Sequence, residues 1–226
     1  MTIRHVQKFV FLVLFAAEPL FAQFEGVVES KNVTTDETGL HQEFTMTMQV
    51  KGVMARITTS AVGTTPSVTM ICRSDLRTIW MINDEERSYF EIPQTDGAED
   101  LIIPGGKEDR PVVRKTGRTR RILSYPCEQY LFRRSEAETE IWGTKKLGGL
   151  VQSLAKALGQ EQIGKTGDWT DELTKIGVFP LSASTRVEGE IVESQEVTRI
   201  EKRALPPELF AVPPGYKKQS VGEMLK

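Results

Sequence analysis

Histidine is scarce in this chain of 226 residues, which contains only His5 and His41. Because His5 falls in a leader-like start, His41 alone remains for the rest of the chain, and a metal site built from several histidines is excluded. The sequence also lacks a glycine-rich phosphate loop, a Gly-x-Ser-x-Gly motif and a His-Glu-x-x-His motif. We therefore predict no metal site and no cofactor.

Strong charge of either sign is also missing. The formal net charge is −2, with 27% charged and 39% hydrophobic residues. This balance does not indicate a nucleic-acid-binding protein, and the chain is too apolar for global disorder. Acidic residues fall mostly on turns or alternate with apolar ones, and no spacing among them selects a catalytic pair.

Residues 1–22 have the three parts of a secretory signal peptide. Arg4 and Lys8 supply the positive start, nine apolar residues follow, and Ala22 offers a small residue at the cleavage position. The alternative, a membrane anchor, requires a run of about 20 apolar residues. We therefore expect export to the periplasm or cell exterior, cleavage near Ala22, and one domain over residues 23–226.

The remaining chain alternates apolar and polar residues, the period of a half-buried strand. Residues 44–50 show it clearly, and Glu188-Gly189 marks a hairpin between two late strand-like runs. Helical periodicity is concentrated in one apolar stripe over residues 147–158. About ten or eleven short strands with few helices predict the α+β class, with a large antiparallel sheet that forms a barrel or a curved half-barrel.

Five of the seven methionines lie in four neighbouring strand-like segments, and several aromatic residues accompany them. Methionine adapts to irregular apolar ligands, so these side chains suit a concave surface that holds an acyl chain. The alternative is that they fill the core between the sheet and the helix. The candidate ligand-binding residues are Met46, Met48, Met54, Met70, Trp80, Phe90, Tyr130, Phe132, Trp142 and Leu154.

A basic segment spans residues 107–134, with nine basic residues against three acidic ones. Its arginines can contact anionic groups and bring the protein to a membrane surface as a peripheral contact. The alternative is edge protection, because charged side chains on exposed strands deter aggregation. The candidate anion contacts are Arg114, Arg118, Arg120 and Arg121.

The two cysteines, Cys72 and Cys127, end strand-like segments. In an oxidising compartment they can form a disulfide. The alternative is that both are free thiols in the core, where cysteine is a common small residue.

Several short motifs resemble an uncharacterised exported bacterial domain family related to the outer-membrane lipoprotein carriers of the LolA/LolB type. The segment 209–216 (LFAVPPGY) is similar to the Phe-x-Val-Pro-x-Gly-Tyr ending of that family. The resemblance implies an unclosed antiparallel half-barrel wrapped around helices, with an apolar concave face. Further matches are residues 24–26, 46–50, Gly52, Arg56, 73–75, 79–80, 125–130 and 140–142.

Three functions follow from these observations. The first is a non-enzymatic, exported protein that binds a hydrophobic or lipid-like ligand in a half-barrel, as the carriers do. The second is an envelope module that senses or binds a protein partner through the same fold, with the basic segment as its contact surface. The third, which the residues favour least, is a hydrolase that uses carboxylates.

Overall fold

Strands dominate the computed structural model, which describes residues 24–36, 38–62, 67–94, 112–159 and 169–220. The predicted leader, residues 1–22, lies outside these ranges, and the domain boundaries stay a prediction. The elements in chain order are β1 (Glu25–Thr35), β2 (His41–Lys51), β3 (Met54–Ala61), β4 (Val68–Arg73), β5 (Thr78–Asn83), β6 (Ser88–Pro93), β7 (Val112–Ile122), β8 (Tyr125–Arg134), β9 (Ala137–Thr144), α1 (Gly148–Leu158), α2 (Trp169–Lys175), β10 (Phe179–Val187), β11 (Glu190–Lys202) and β12 (Lys217–Gln219).

The described strands form one sheet in the order β12-β6-β5-β4-β3-β2-β1-β11-β10-β9-β8-β7. Neighbouring strands are antiparallel, except that β12 runs parallel to β6. The two edge strands, β7 and β12, do not pair with each other, so the sheet is unclosed. The predicted large antiparallel sheet is confirmed, but it has twelve strands rather than ten or eleven. Strand β12 has three residues, too few to show an alternation.

Tight turns set the register of the hairpins. Glu188 and Gly189 both have positive φ, at 53° and 89°, as a two-residue type I′ turn requires. At the β2–β3 turn, Gly52 has φ 61°, and Lys51 pairs directly with Met54. Each turn therefore fixes which residues of the two strands share a face of the sheet.

The predicted helix over residues 147–158 is confirmed as α1. A 3₁₀ turn over Lys145–Leu147 leads into it, and Thr144 Oγ1 accepts a hydrogen bond from the backbone N–H of Lys146 at 3.2 Å. Gly159, with φ 81°, ends the helix. Leu150 and Val151 are buried where α1 packs against β2, β3 and β4. No helix in the described ranges combines the length and apolar character that crossing a membrane requires.

Three groups of buried apolar side chains hold these elements together. The inner cluster lies between α1 and the sheet: Phe24, Val28, Met48, Val50, Ala55, Cys72, Ile79, Cys127, Leu147, Leu150, Val151, Ala157, Phe179, Leu181 and Val197. The α2 cluster joins α2 to strands β8–β10: Tyr130, Phe132, Ile141, Leu173, Val178 and Ala183. The outer cluster lies on the opposite face of β4 from the inner cluster: Val27, Ile71, Ile82, Leu205 and Phe210.

The outer cluster is covered by the C-terminal strap, defined here as residues 205–216. Two strap carbonyl oxygens accept hydrogen bonds from arginines of the sheet, Leu209 O from Arg56 at 3.4 Å and Phe210 O from Arg73 at 3.0 Å. These bonds, together with the burial of Phe210, fasten the motif that resembled a family ending to one face of the sheet. That face is therefore closed over β3–β5, while the face beneath α1 carries the candidate site.

Candidate functional site

One row of apolar side chains crosses five strands on the face beneath α1. Direct pairing runs from Met48 to Ile57, then to Met70, Met81 and Phe90, so each of β2–β6 contributes one residue. We call these five residues the methionine row. Because neighbouring strands lie about 4.8 Å apart, the row is roughly 19 Å long.

The methionine row is only partly covered. Met48 is 8% exposed, whereas its four partners are half-buried, and Met70 packs against the inner cluster. The next row on the same face is Val50, Ala55, Cys72 and Ile79, and it is buried. The sheet thus has a filled row beside an accessible apolar row, and flexible thioethers line the accessible one.

Helix α1 borders this surface with two half-buried leucines, Leu154 and Leu158, which pack against the inner cluster. Met46 is also half-buried there. Of the predicted ligand-binding residues, Met46, Met48, Met70, Phe90 and Leu154 therefore lie on or beside the methionine row.

The structure corrects the prediction for Met54 and Trp80, which lie on the opposite face and pack against the outer cluster. Met54 pairs with Lys51 across a two-residue turn, so it cannot share a face with Val50. Trp80 precedes Met81 in β5, and successive side chains in a strand point to opposite faces. Trp80 Nε1 donates a hydrogen bond to Glu91 at 3.1 Å on that face.

The other predicted aromatic residues lie in β8 and β9, away from the methionine row. Tyr130 and Phe132 belong to the α2 cluster, whereas Trp142 packs against the inner cluster. Burial, and then a 3.0 Å hydrogen bond to Glu128, raises the pKa of Tyr130 to about 12, so its phenol stays protonated. These three residues are not part of the row.

Cys72 and Cys127 are both buried members of the inner cluster, and both are free thiols. The disulfide that the sequence permitted is thus not formed. Burial raises the pKa of Cys72 to about 12, and burial also raises the pKa of Cys127. Both residues serve as small core side chains, and neither is a reactive thiolate.

The four predicted anion contacts separate along β7. Arg114 and Arg118 line a cleft of about 450 Å³ over β7, β8 and β9. Arg120 stacks on the indole of Trp142, with the guanidinium carbon 4.3 Å from the ring centroid. Arg121 pairs with Pro126, on the opposite face from the Arg120–Cys127 pair, and donates to the backbone oxygen of Ser124 at 3.1 Å.

The carboxyl groups give little support to acid–base chemistry. Each displaced carboxyl pKa in the described part of the chain is lowered, at Glu25, Asp36, Asp75, Glu91 and Glu128. A general acid requires a raised pKa instead. No three His, Cys, Asp or Glu residues of the described ranges gather into a metal-binding group.

The sequence-based candidates omitted two members of the methionine row, Ile57 and Met81. Both follow from strand alternation once the hairpin registers are known, because Ile57 pairs with Met48 and Met81 pairs with Met70. The missing information was the cross-strand register and not the residue type.

Solved structures resemble this chain at low sequence identity. An uncharacterized conserved protein from Thermus thermophilus is similar with a TM-score of 0.50 and 11% identity, over 87% of this chain and 91% of that one. PNGF-II is similar with a TM-score of 0.43 and 11% identity, over 89% of this chain and 32% of that one. A LolA superfamily protein from Nitrosomonas europaea is similar with a TM-score of 0.35 and 10% identity, over 84% of this chain and 91% of that one. At 11% identity, the likeness to the Thermus thermophilus protein concerns the fold alone.

Comparison by sequence gives one family. No curated protein matches the chain. A family model described as a domain of unknown function, DUF4412, matches residues 24–216 and thus extends from the start of β1 to the end of the C-terminal strap.

Proposed function

The chain belongs to the DUF4412 family, and we propose that it binds a hydrophobic, lipid-like ligand over the methionine row. The family assignment confirms the predicted membership of an uncharacterised domain family. The observation that carries this proposal is a row of apolar side chains beside α1, four of which are only half-buried, in a sheet whose opposite face is covered by the C-terminal strap over β3–β5. The proposed role is that of a non-enzymatic carrier.

The dimensions and chemistry of the row suit an acyl chain. A row of roughly 19 Å offers a continuous apolar strip across five strands. Each ligand CH₂ group that it removes from water contributes about 0.8 kcal/mol. Met70 and Met81 adjust their side chains at low cost, so the row accommodates chains of different shape. Leu154 and Leu158 of α1 would cover the second side of the ligand.

The proposed setting is outside the cytoplasm, after cleavage near Ala22. The positive start and the short apolar run of residues 1–22 support this setting. For the architecture, we propose that the sheet curves into a half-barrel around α1 and the ligand. It extends the observed packing of α1 against β2–β4.

Two half-buried methionines on opposite faces provide a matched test. Met70→Gln places an amide in the methionine row, whereas Met54→Gln makes the same change on the outer face. We expect Met70→Gln to weaken the binding of a fluorescent fatty acid about tenfold, which corresponds to about 1.4 kcal/mol. Met54→Gln should leave the affinity unchanged.

Lipid extraction from the purified protein, followed by mass spectrometry, gives an independent measurement. The proposal predicts a co-purifying lipid that is depleted in Met70→Gln. If no lipid is extracted and the fluorescent fatty acid does not bind, the proposed function is wrong. Equal losses of affinity in the two variants would show that the probe does not occupy the row.

A further inference from the structure

The cleft over β7, β8 and β9 is separate from the methionine row. It has a volume of about 450 Å³, within the range of small-molecule sites. Arg114, Gln129 and Glu140 are placed on one face by register, since Arg114 pairs with Leu131 and Leu131 pairs with Glu140. The cleft is therefore a polar surface of the sheet beyond the part that the C-terminal strap covers.

Two of the five charged side chains that line the cleft have ion-pair partners outside it. Lys115 Nζ lies 2.6 Å from Glu128, and Glu138 is bonded to Arg133. Arg114 and Arg118 form no ion pair within the described part of the chain, and both are exposed. Two guanidinium groups without an ion-pair partner thus line the cleft, and they suit the planar or tetrahedral oxygens of an oxyanion.

A buried amide and a hydroxyl organise the floor of the cleft. Gln129 is 3% exposed, and its Oε1 accepts a 2.8 Å hydrogen bond from Thr116 Oγ1. Thr116 Oγ1 also accepts a hydrogen bond from the backbone N–H of Arg118 at 3.2 Å. This bond spans an irregular part of β7, where Gly117 has φ 83°. This arrangement holds the backbone that carries Arg118 in place and leaves the amide nitrogen of Gln129 as a further donor.

Glu140 restricts the chemistry of the ligand. Its Oε1 accepts a hydrogen bond from Trp142 Nε1 at 2.7 Å, and the second carboxylate oxygen remains an acceptor. A negative charge at one end of the cleft opposes ligands that are anionic throughout. It favours ligands that place hydroxyl groups there and an anionic group at the arginines.

We propose that this cleft is a second binding site, which takes a small hydroxyl-bearing molecule with one phosphate or carboxylate group. Arg114 and Arg118 bind the oxyanion, Gln129 donates from the floor, and Glu140 accepts from a hydroxyl group. The site is independent of the proposed lipid-binding row, so either can fail without the other.

NMR titrations of the isotope-labelled protein test the proposal through its backbone amide chemical shifts. Glycerol 3-phosphate and glucuronate are the two ligands, and they distinguish a phosphate from a carboxylate. We expect amide shifts at Thr116 and Gln129 with at least one of them. The double variant Arg114→Gln/Arg118→Gln should weaken that binding about tenfold or more, because it removes both guanidinium groups and their charge-assisted hydrogen bonds to the oxyanion. Arg121→Gln on the opposite face of β7 is the matched control, and it should bind as the unchanged protein does.

Sulfate tests the contribution of Glu140, because sulfate offers no hydroxyl group to that carboxylate. It should bind more weakly than the two hydroxylated anions, and Glu140→Gln should reduce this preference. Unperturbed amides at Thr116 and Gln129 with both ligands at millimolar concentration would overturn the proposal. If Arg121→Gln weakens ligand binding as much as the double variant does, the proposal is overturned as well. That result would show a general electrostatic attraction of anions to β7.

Discussion

Replacing Phe210 by alanine should remove the main apolar anchor of the C-terminal strap. Phe210 is 0% exposed and belongs to the outer cluster. A buried phenylalanine removes about 150–250 Å² from water, which at about 25 cal/mol per Å² corresponds to about 4–6 kcal/mol. Measured Phe→Ala changes in cores cost about 3–5 kcal/mol. We therefore expect a loss of about 4 kcal/mol in the free energy of unfolding, and a Tm lower by about 8–16 °C.

Urea denaturation measures this loss. The emission of Trp80, recorded in a background in which Trp142 and Trp169 are replaced by phenylalanine, reports it locally because the Trp80 side chain packs against the same outer cluster. Far-UV circular dichroism should follow the whole sheet in parallel. Leu209→Ala is the control, since Leu209 is a half-buried neighbour and should cost clearly less. A loss below about 1 kcal/mol for Phe210→Ala, or an unchanged Trp80 emission, would refute the packing of the strap.

Three further predictions concern acid stability, thiol reactivity and the helix. Hydrogen bonds from the backbone N–H of Leu205, and then from Lys51, lower the pKa of Glu25. The carboxylate therefore stabilises the fold above its ordinary pKa of 4.5, and this contribution is lost as the pH falls through the lowered pKa. Urea melts should thus separate Glu25→Gln from the unchanged protein at neutral pH, and the separation should shrink as the pH falls below 4.5. A water-soluble thiol reagent should modify Cys72, whose pKa is about 12, only after denaturation, and rapid modification of the native protein would contradict its burial. Leu150→Ala should cost about 2–5 kcal/mol in the same melts because Leu150 is fully buried. Half-buried Leu154→Ala should cost less and alter fatty-acid binding, and equal costs for the two variants would argue against the observed packing of α1.

Local patterns in the sequence were sufficient to predict the type of most elements. The apolar stripe ending at Gly159 predicted α1, and Glu188-Gly189 predicted the β10–β11 hairpin. Both signals depend on residues a few positions apart. The large antiparallel sheet followed from alternation for the same reason.

The assignment of residues to the two faces of the sheet was less accurate. Met54 and Trp80 were grouped with the methionine row by residue type, although pairing with Lys51 and adjacency to Met81 place them on the other face. The position of the C-terminal strap depends on contacts between distant residues. Arg56 and Leu209, for example, are 153 positions apart. Neither alternation nor composition contains that information.

The central position of β1 in the sheet has a consequence for the order of folding. In the sheet of the described strands, β1–β6 and β7–β11 each form a run of neighbours, and backbone pairing joins these two runs only between β1 and β11. Glu29 and Arg199 meet at this seam across 170 residues of chain. Closing a loop of that length costs entropy before the seam contributes contacts, and non-local pairing folds slowly. During synthesis, the edge of β1 must therefore stay unpaired until β11 emerges, a period in which a chaperone that shields strand edges would protect the chain from aggregation.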